Sequence, residues 1–526
     1  MKQPKTTRPH GEVRGANLSR SSLLFSGPFG RIFRALPAAD FGPDDDTSVK
    51  NLVALATGMT SVADPNDPKD GPDSEEGGIP AAYTYLGQFI DHDLTFDPAS
   101  SLQKQNDPDA LVDFRTPQFD LDNVYGRGPA DQPYMYADDA RTFVLGRQLS
   151  GAPEVNKNAR DLQRNGQDPA RALIGDPRND ENVIVAQLQG LWHRFHNRLA
   201  KENPKWAFPQ VQQQVRFHYQ WVLLHDFLQA VIAKEVLDDV LPVDKNKKLI
   251  IDKSNLKFFH YRDFAFMPLE FSVAAYRFGH SMIRPGYRLN SNVGPLPIFK
   301  FGKNTLDLRG FKAPHDDWAL DWRRFIDLVP LDYGTLVDNP DQKDPKNQNR
   351  LQLAYKIDTS LVNPLGVLPE SVAVDPSVLA QRNLLRGWRL RLPNGQEVAR
   401  AMGIVPLADK DIVIGKFTGD KADIVGTISD IGDKQSFIEN CPLWTYVLAE
   451  TVETTVVVKT LQGDKPIKTR KLGPVGGRIV AETFVGLLLA DSSSYVSLNP
   501  LWEPENKLKS NGVFGLREMI QYALGD

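Results

Sequence analysis

Cysteine is almost absent from this chain of 526 residues, in which Cys441 is the single one. One thiol excludes a disulfide within the chain and any zinc or iron–sulfur site built from several cysteines. The fold must therefore depend on its hydrophobic core and on ligands of other kinds. This cysteine usage suits a reducing compartment.

Long apolar runs and a strong net charge are also missing. The most apolar stretches, residues 221–233 and 479–490, are short and contain charged side chains, so no membrane span is expected. The apolar stretch 23–33 is broken by glycine, proline and arginine and is no signal-peptide core. A formal net charge of −4 argues against a nucleic-acid partner. We expect a cytoplasmic protein, or one exported without a cleaved signal peptide.

A polar stretch divides the chain near residue 80. Residues 64–73 are acidic and rich in proline and glycine, which is typical of a solvated loop or linker. We therefore expect an N-terminal extension over residues 1–80, peripheral to a main domain over residues 81–526.

Helical periodicity dominates the main domain. Apolar residues recur at helical spacing over residues 184–199, and Asn179 or Asp180 is available as the N-cap. Further helices are expected over 209–237 and 272–284, the latter ending before a proline that lacks the amide donor. The sequence predicts a mainly α fold with one large helical domain.

One segment has the pattern of a β-hairpin. Residues 451–461 and 467–472 are rich in valine and threonine, and Gly463 and Asp464 lie between them. We interpret the region of about 451–472 as a small β-hairpin insertion in the helical domain.

The run Gly-Gln-Phe-Ile-Asp-His-Asp at residues 87–93 is the first candidate site. On a helix Asp91, His92 and Asp93 would be turned by roughly 100° from one another, so they would point in three directions. A single short segment could therefore serve three different sites.

A second cluster alternates oxygen-bearing residues in the order Thr116, Gln118, Asp120 and Asp122. In an extended loop, residues with a period of two present their oxygens on one side. With Asp93 added, the carboxylates, the hydroxyl and backbone carbonyls meet the oxygen preference of Ca²⁺.

Three further clusters each pair a basic residue with a polar or charged partner. The first, within residues 175–181 at the entrance of the predicted helix, puts a guanidinium and a carboxylate side by side. In the other two, a spacing of three brings both side chains to one face of a helix. The pairs are Arg178 with Glu181, Arg277 with His280, and Asn383 with Arg386. Their joint order along the chain is more specific than any one of them.

In this order the clusters resemble the animal-type haem peroxidases of the peroxidase–cyclooxygenase superfamily, over most of residues 80–500. The resemblance implies that His92 is the distal histidine and Arg178 the distal arginine. It places Gln88 on the distal side, where family members hold waters or a halide. The absence of disulfides favours a bacterial-type member.

The resemblance also assigns the proximal side of a haem b group. His280 would be the ligand of the iron and Asn383 its hydrogen-bond partner. Arg277 and Arg386 match the arginines that contact the haem propionates. A hydrogen bond to the far nitrogen of an iron-bound histidine would fix its orientation and tune its donor strength.

Two carboxylates, Asp91 and Glu181, match the residues that form ester bonds to the haem in this family. Asn182 stands where one mammalian member has a methionine joined to the haem. A sulfonium link is therefore not expected, and chloride is the least favoured donor.

The calcium site of the family is matched by five residues: Asp93, Thr116, Gln118, Asp120 and Asp122. Such a site beside His92 would lock the distal residues in place. Asp122 replaces a common serine and adds negative charge.

The activity implied is the reduction of hydrogen peroxide through a ferryl intermediate, with oxidation of phenols, iodide, bromide or thiocyanate. A neutral imidazole such as that of His92 can take and return the proton of peroxide near pH 7. The cation of Arg178 would stabilise the charge that develops on the leaving oxygen.

Two alternatives remain open. Fatty-acid dioxygenases of the same superfamily have a radical-forming tyrosine three residues before the proximal histidine. Here that position is Arg277, and Tyr276 would be turned by about 100° on an α-helix. A non-catalytic haem- or calcium-binding scaffold is the other alternative, although it has no evident need of both His92 and Arg178.

Overall fold

Helices supply most of the regular structure. The computed structural model describes residues 29–60, 68–95, 117–167, 170–261, 265–300, 306–335, 344–370, 372–373, 375–416, 423–433 and 435–525. Within these ranges the α-helices are α1 (Asp45–Gly58), α2 (Ala82–Leu94), α3 (Asp122–Tyr125), α4 (Val183–Glu202), α5 (Phe208–Val222), α6 (Leu228–Val231), α7 (Lys234–Val240), α8 (Asn363–Gly366), α9 (Leu379–Arg389), α10 (Gly395–Ala401), α11 (Leu443–Ala449), α12 (Gly476–Ala490), α13 (Tyr495–Leu498) and α14 (Leu516–Leu524). The mainly α class is confirmed. None of these helices combines the length and apolar character needed to cross a bilayer.

The strands form small two-stranded sheets. They are β1 (Phe29–Gly30), β2 (Glu76–Pro80), β3 (Met267–Pro268), β4 (Gly286–Tyr287), β5 (Leu296–Pro297), β6 (Leu353–Tyr355), β7 (Val413–Gly415), β8 (Ile424–Thr427), β9 (Val452–Thr460) and β10 (Gly463–Lys471). β9 and β10 pair antiparallel over their whole length, which confirms the predicted hairpin. Gly463, with φ of +99°, supplies the left-handed residue that closes its tight turn.

The helix predicted near residue 184 is confirmed as α4, but its cap differs. The side chain of Asn182 accepts hydrogen bonds from two backbone N–H groups of the first turn. Asn179 and Asp180 belong instead to a 3-10 turn, Pro177–Asp180, that precedes the helix. The predicted caps are therefore wrong by two to three residues, because both residues belong to the turn that precedes the helix.

The single helix predicted over residues 209–237 is interrupted. After α5 the chain widens into a π-turn, Leu223–Phe227, and α6 ends at Val231, because Ile232 is extended. At this point the chain pairs with Leu472, at the end of the hairpin. A contact distant in sequence therefore breaks a helix that its periodicity favours.

The helix predicted from residue 272 is tighter than an α-helix near its end. A π-turn, Glu270–Ala274, leads into a 3-10 helix, Ala275–His280, here called the His280 helix. In a 3-10 helix side chains three residues apart lie directly above one another. Arg277 and His280 therefore share one face, as their spacing predicts.

The His280 helix and α2 contact each other, and each is supported by different helices. α2 packs on α3 and α4, and the His280 helix packs on α11 and α12. Buried aromatic rings hold this arrangement: Phe89 of α2 stacks on Trp192 of α4, with ring centroids 6.0 Å apart. This packing separates two walls that both carry predicted site residues.

The prediction of a solvated linker is wrong for residues 70–73. Asp70 forms an ion pair with Arg288 at 2.6 Å, and Tyr355 donates a hydrogen bond of 2.6 Å to Asp73. Upstream, Leu52 of α1 is buried in the same hydrophobic core as the helical domain. The boundary between an extension and a domain at residue 80 stays a prediction.

Candidate functional site

A cavity of about 600 Å³ lies between α2 and the His280 helix. Gln88, Asp91 and His92 line it from one side, and Arg277 and His280 line it from the other. Apolar side chains complete much of the lining, among them Ile283, Ile298, Phe299, Leu308, Phe311 and Leu365. The fold therefore brings residues of the 87–93 run and the pair Arg277 and His280 to one cavity.

His92 is buried, and its two ring nitrogens have different surroundings. Nδ1 lies 2.7 Å from Oδ1 of Asn179. Because an amide oxygen only accepts hydrogen bonds, Nδ1 must be the donor. Nε2 lies 3.7 Å from Oε1 of Glu181, which also lines the cavity. In the neutral ring Nε2 is then the basic nitrogen.

Glu181 is held beside His92 by an amide. Gln88 donates to Oε1 of Glu181, and Asn182 donates to the oxygen of Gln88 over 3.1 Å. Burial raises the pKa of Glu181 to about 7, against the opposing effect of the Arg178 charge. Glu181 and Asp91, the two residues predicted to form esters, both line the cavity.

Arg178 differs from the prediction, which placed its guanidinium beside the reacting oxygens. The guanidinium forms an ion pair with Asp176 at 2.9 Å. It also donates to the backbone carbonyls of His92 and Thr95, at 3.1 and 2.5 Å. These three acceptors hold it against the end of α2, outside the cavity lining, where it still lowers the pKa of Glu181.

His280, Asn383 and Arg277 form a hydrogen-bonded group on the opposite wall. Arg277 donates to Oδ1 of Asn383 at 2.8 Å, and Nδ2 of Asn383 lies 2.9 Å from Nδ1 of His280. The predicted partnership of His280 and Asn383 is thus present as a contact. In this contact the amide of Asn383 donates to the ring of His280. A histidine that binds a metal through Nε2 carries its proton on Nδ1 and must donate to its partner, so the required direction is the reverse.

Two positive charges lie close together at this wall. Burial and the neighbouring charge of Arg386 lower the pKa of Arg277 to about 10. Burial and the charge of Arg277 lower the pKa of His280 to about 3, so its ring is neutral. A pair of arginines beside an apolar cavity suits a ligand with anionic groups at its edge.

Asp93, Asp120 and Asp122 converge as the sequence predicts. Each offers a carboxylate oxygen, and these oxygens lie within 4.8 Å of one another. The loop is not extended throughout, because Leu121 is left-handed with φ of +58° and Asp122 begins α3. This turn brings the two loop carboxylates to buried Asp93. Of the other predicted ligands, Gln118 lies two residues before Asp120 and Thr116 lies outside the described residues.

Sequence reasoning missed three residues behind His92. Asn179 was considered only as a helix cap, and Gln189 and His193 were not considered. The i, i+4 spacing of the latter two on α4 is a visible signal that they share a face. The link to His92 is not visible, because it joins residues 87 positions apart.

Comparisons with known proteins show a family resemblance over part of the chain. Residues 100–308 match the sequence model of the family described as animal haem peroxidase. The human probable oxidoreductase PXDNL is 26% identical over 215 residues, 34% of this chain and 14% of that protein. Peroxidasin of Drosophila melanogaster is 26% identical over 274 residues, 51% of this chain and 15% of that protein. The chain thus spans about one seventh of the length of these curated relatives.

Solved structures share the fold. Peroxidase A from Dictyostelium discoideum aligns with a TM-score of 0.53 and 15% identity, covering 94% of this chain and 93% of that chain. A fatty acid alpha-dioxygenase from Oryza sativa aligns with a TM-score of 0.53 and 13% identity, covering 95% and 79%. At these identities the likeness concerns the fold alone.

Proposed function

This chain carries a domain of the animal haem peroxidase family, and we propose that it is a haem-dependent peroxidase that reduces hydrogen peroxide. The proposed donors are small molecules such as phenols, iodide, bromide or thiocyanate. One observation carries the proposal: the imidazoles of His92 and His280 line opposite walls of one largely apolar cavity. His280 can ligate an iron, while His92 can accept and return a proton of the peroxide.

The residues of the cavity fit haem b. The apolar lining suits the macrocycle, and the adjacent charges of Arg277 and Arg386 suit its propionates. His280 would ligate the iron through Nε2, which requires the amide of Asn383 to turn so that its oxygen accepts from Nδ1. Bound haem supplies the redox-active iron at which the peroxide bond is cleaved.

The residues of the chain supply the proton chemistry. Nε2 of His92 would accept a proton from hydrogen peroxide and return it to the leaving oxygen. Arg178 contributes positive charge near this path, although its guanidinium is engaged with Asp176. Gln88 holds Glu181 in the lining and offers a polar contact for water or a halide.

We also propose a calcium ion at Asp93, Asp120 and Asp122, with further ligands from Gln118 and Thr116. Three carboxylate oxygens within 4.8 Å of one another match the hard-ligand preference of Ca²⁺. Because Asp93 follows His92 on α2, bound calcium would hold the catalytic imidazole in position.

An optical spectrum and a rapid-mixing experiment test the peroxidase proposal. The purified protein should have a Soret band that changes within milliseconds to seconds of mixing with hydrogen peroxide and returns when iodide or a phenol is added. A Soret band without any response to peroxide would favour the non-catalytic scaffold. Protein purified after expression with ample haem but lacking a Soret band would contradict both.

Fatty-acid dioxygenase activity is the second candidate, and one observation favours it. Tyr276 lines the cavity, and its hydroxyl donates to the carbonyl of Gly87 over 3.3 Å. It stands four residues before His280, whereas the tyrosine of the dioxygenases stands three residues before the histidine. In the 3-10 helix Tyr276 is turned by about 120° from Arg277, yet both residues line the cavity. Rapid stoichiometric oxygen uptake with a fatty acid and catalytic peroxide would rank this activity first.

A further inference from the structure

A chain of hydrogen bonds runs from His92 through two amide side chains to a second histidine. Nδ1 of His92 lies 2.7 Å from Oδ1 of Asn179, and Nδ2 of Asn179 donates to Oε1 of Gln189 at 2.8 Å. Nε2 of Gln189 lies 3.0 Å from Nε2 of His193. All four side chains are buried.

The direction of every bond in this chain follows from the chemistry of its members. Gln189 receives the amide of Asn179 at its oxygen, so its own amide nitrogen must face His193 as a donor. His193 must then accept at Nε2. Likewise the nitrogen of Asn179 faces Gln189, so its oxygen faces His92 and accepts from Nδ1.

We propose that Asn179, Gln189 and His193 are positioning residues that hold His92 in the tautomer with its proton on Nδ1. The inference rests on the proposed function, in which Nε2 of His92 is the nitrogen that accepts the proton of peroxide. None of the three residues touches the reacting atoms. They act by deciding which nitrogen of His92 is basic.

Two further features keep the chain from reversing. Burial, with a smaller effect of His196, lowers the pKa of His193 to about 3, so its ring is neutral at neutral pH, and the amide nitrogen of Gln189 that faces it also donates to the backbone carbonyl of Asn123 at 3.4 Å. Turning Asn179 over would set its NH₂ group against Nδ1 of His92 and its oxygen against the oxygen of Gln189. Turning over the whole chain would likewise set the oxygen of Gln189 against the carbonyl of Asn123. Buried polar groups left without a complementary partner are costly, so the observed direction is the favoured one.

The chain offers a matched pair of variants on one helix. Gln189→Met removes the group that orients Asn179 while keeping a side chain of similar volume. Gln187→Met removes two buried hydrogen bonds, to the carbonyl of Trp318 and the N–H of Leu320, without touching the chain of hydrogen bonds. Gln189 also donates to the carbonyl of Asn123 at 3.4 Å, so the thermal stability of both variants is measured beside the tautomer. A change of tautomer in Gln189→Met but not in Gln187→Met reports positioning of His92.

The tautomer itself can be measured. Protein labelled with ¹⁵N-histidine, reduced and saturated with carbon monoxide so that bound iron is diamagnetic, gives ring-nitrogen shifts that separate the two tautomers. His92→Gln identifies the resonances of His92. We expect one tautomer, protonated at Nδ1, in the wild type and in Gln187→Met, and a mixture in Gln189→Met.

The rate of reaction with peroxide provides the second measurement. Loss of one orienting hydrogen bond should lower this rate about two- to ten-fold in Gln189→Met relative to Gln187→Met. Adding Asn179→Asp to Gln189→Met should restore the tautomer, because both oxygens of an aspartate accept from Nδ1. If Gln189→Met alone folds poorly, the tautomer of His92 in the double variant still shows whether an acceptor at position 179 orients the ring.

The outcomes separate this inference from the proposed function. Equal tautomers and equal rates in Gln189→Met and Gln187→Met would overturn the inference. A wild type with the expected tautomer but no reaction with peroxide would overturn the peroxidase proposal and leave the tautomer assignment standing.

Discussion

Asp120→Asn should change the stability of this protein in opposite directions with and without calcium. Asp93, Asp120 and Asp122 bring three carboxylate oxygens within 4.8 Å of one another. Asparagine keeps an oxygen able to accept the hydrogen bond from the backbone N–H of Asp122, which lies 3.0 Å from Oδ1 of Asp120. The substitution therefore removes one negative charge with little change of shape.

The magnitude follows from Coulomb's law. At 4.8 Å two like charges repel by roughly 1 kcal/mol in water-like surroundings and roughly 3 kcal/mol at an effective dielectric constant of about 20. Two of the three pairs include Asp120. Because Asp120 and Asp122 are only half-buried, the lower value applies, and the substitution relieves about 2 kcal/mol when no cation is bound. For a protein of this length that is about 2 °C in Tm.

Bound calcium reverses the sign. A divalent cation offsets the repulsion in the wild type, and its binding free energy adds to the stability of the folded state. The neutral amide introduced by Asp120→Asn would be a weaker ligand than the carboxylate. The variant should therefore gain less from calcium and unfold at a lower temperature than the wild type.

Thermal unfolding in EDTA and in millimolar calcium chloride measures both effects. Asp131→Asn, at an exposed acid outside the cluster, is the matched control and should leave both Tm values nearly unchanged. If Asp120→Asn lowered Tm by the same amount in EDTA and in calcium, the carboxylates would not form a cation site and the reasoning would fail.

Three further predictions concern the haem and the core. His280→Ala should abolish or strongly shift the Soret band in absorption spectra, whereas His260→Ala, at an exposed histidine, should not; unchanged spectra in both would remove His280 as the iron ligand. After peroxide turnover, haem should stay with the wild-type polypeptide in acidified organic solvent. The double variant Asp91→Asn, Glu181→Gln should release it. Complete release from the wild type would refute the ester bonds. Burial raises the pKa of Glu450 from 4.5 to about 8, where it accepts from the N–H groups of Val475 and Gly476. Because the folded pKa is the higher one, its protonated form favours folding at low pH, and stability should fall by up to about 1.4 kcal/mol per pH unit between pH 4.5 and 8. Glu450→Gln keeps an acceptor and should flatten this part of the pH profile in denaturant titrations; an unchanged slope would mean that Glu450 is ionised in the folded protein.

Local sequence patterns predicted the structural features that depend on residues close together in the chain. Helical spacing places Asp91, His92 and Asp93 on α2 in three directions, and valine-rich runs around Gly463 predict the hairpin. The same patterns misplaced the start of α4 and missed the break at Ile232, where pairing with the distant hairpin interrupts the helix.

The sequence by itself determined which chemical groups are present and which face of each element they occupy, because backbone geometry repeats over a few residues. Only the tertiary structure decided where Arg178 points and which nitrogen of His92 is basic. Asp176 is a local partner of Arg178, but the carbonyls of His92 and Thr95 that also hold its guanidinium, and the amide of Asn179 that faces the imidazole of His92, are more than eighty positions away. A flexible side chain with several acceptors within reach is directed by those that folding brings closest, and no local pattern records that choice.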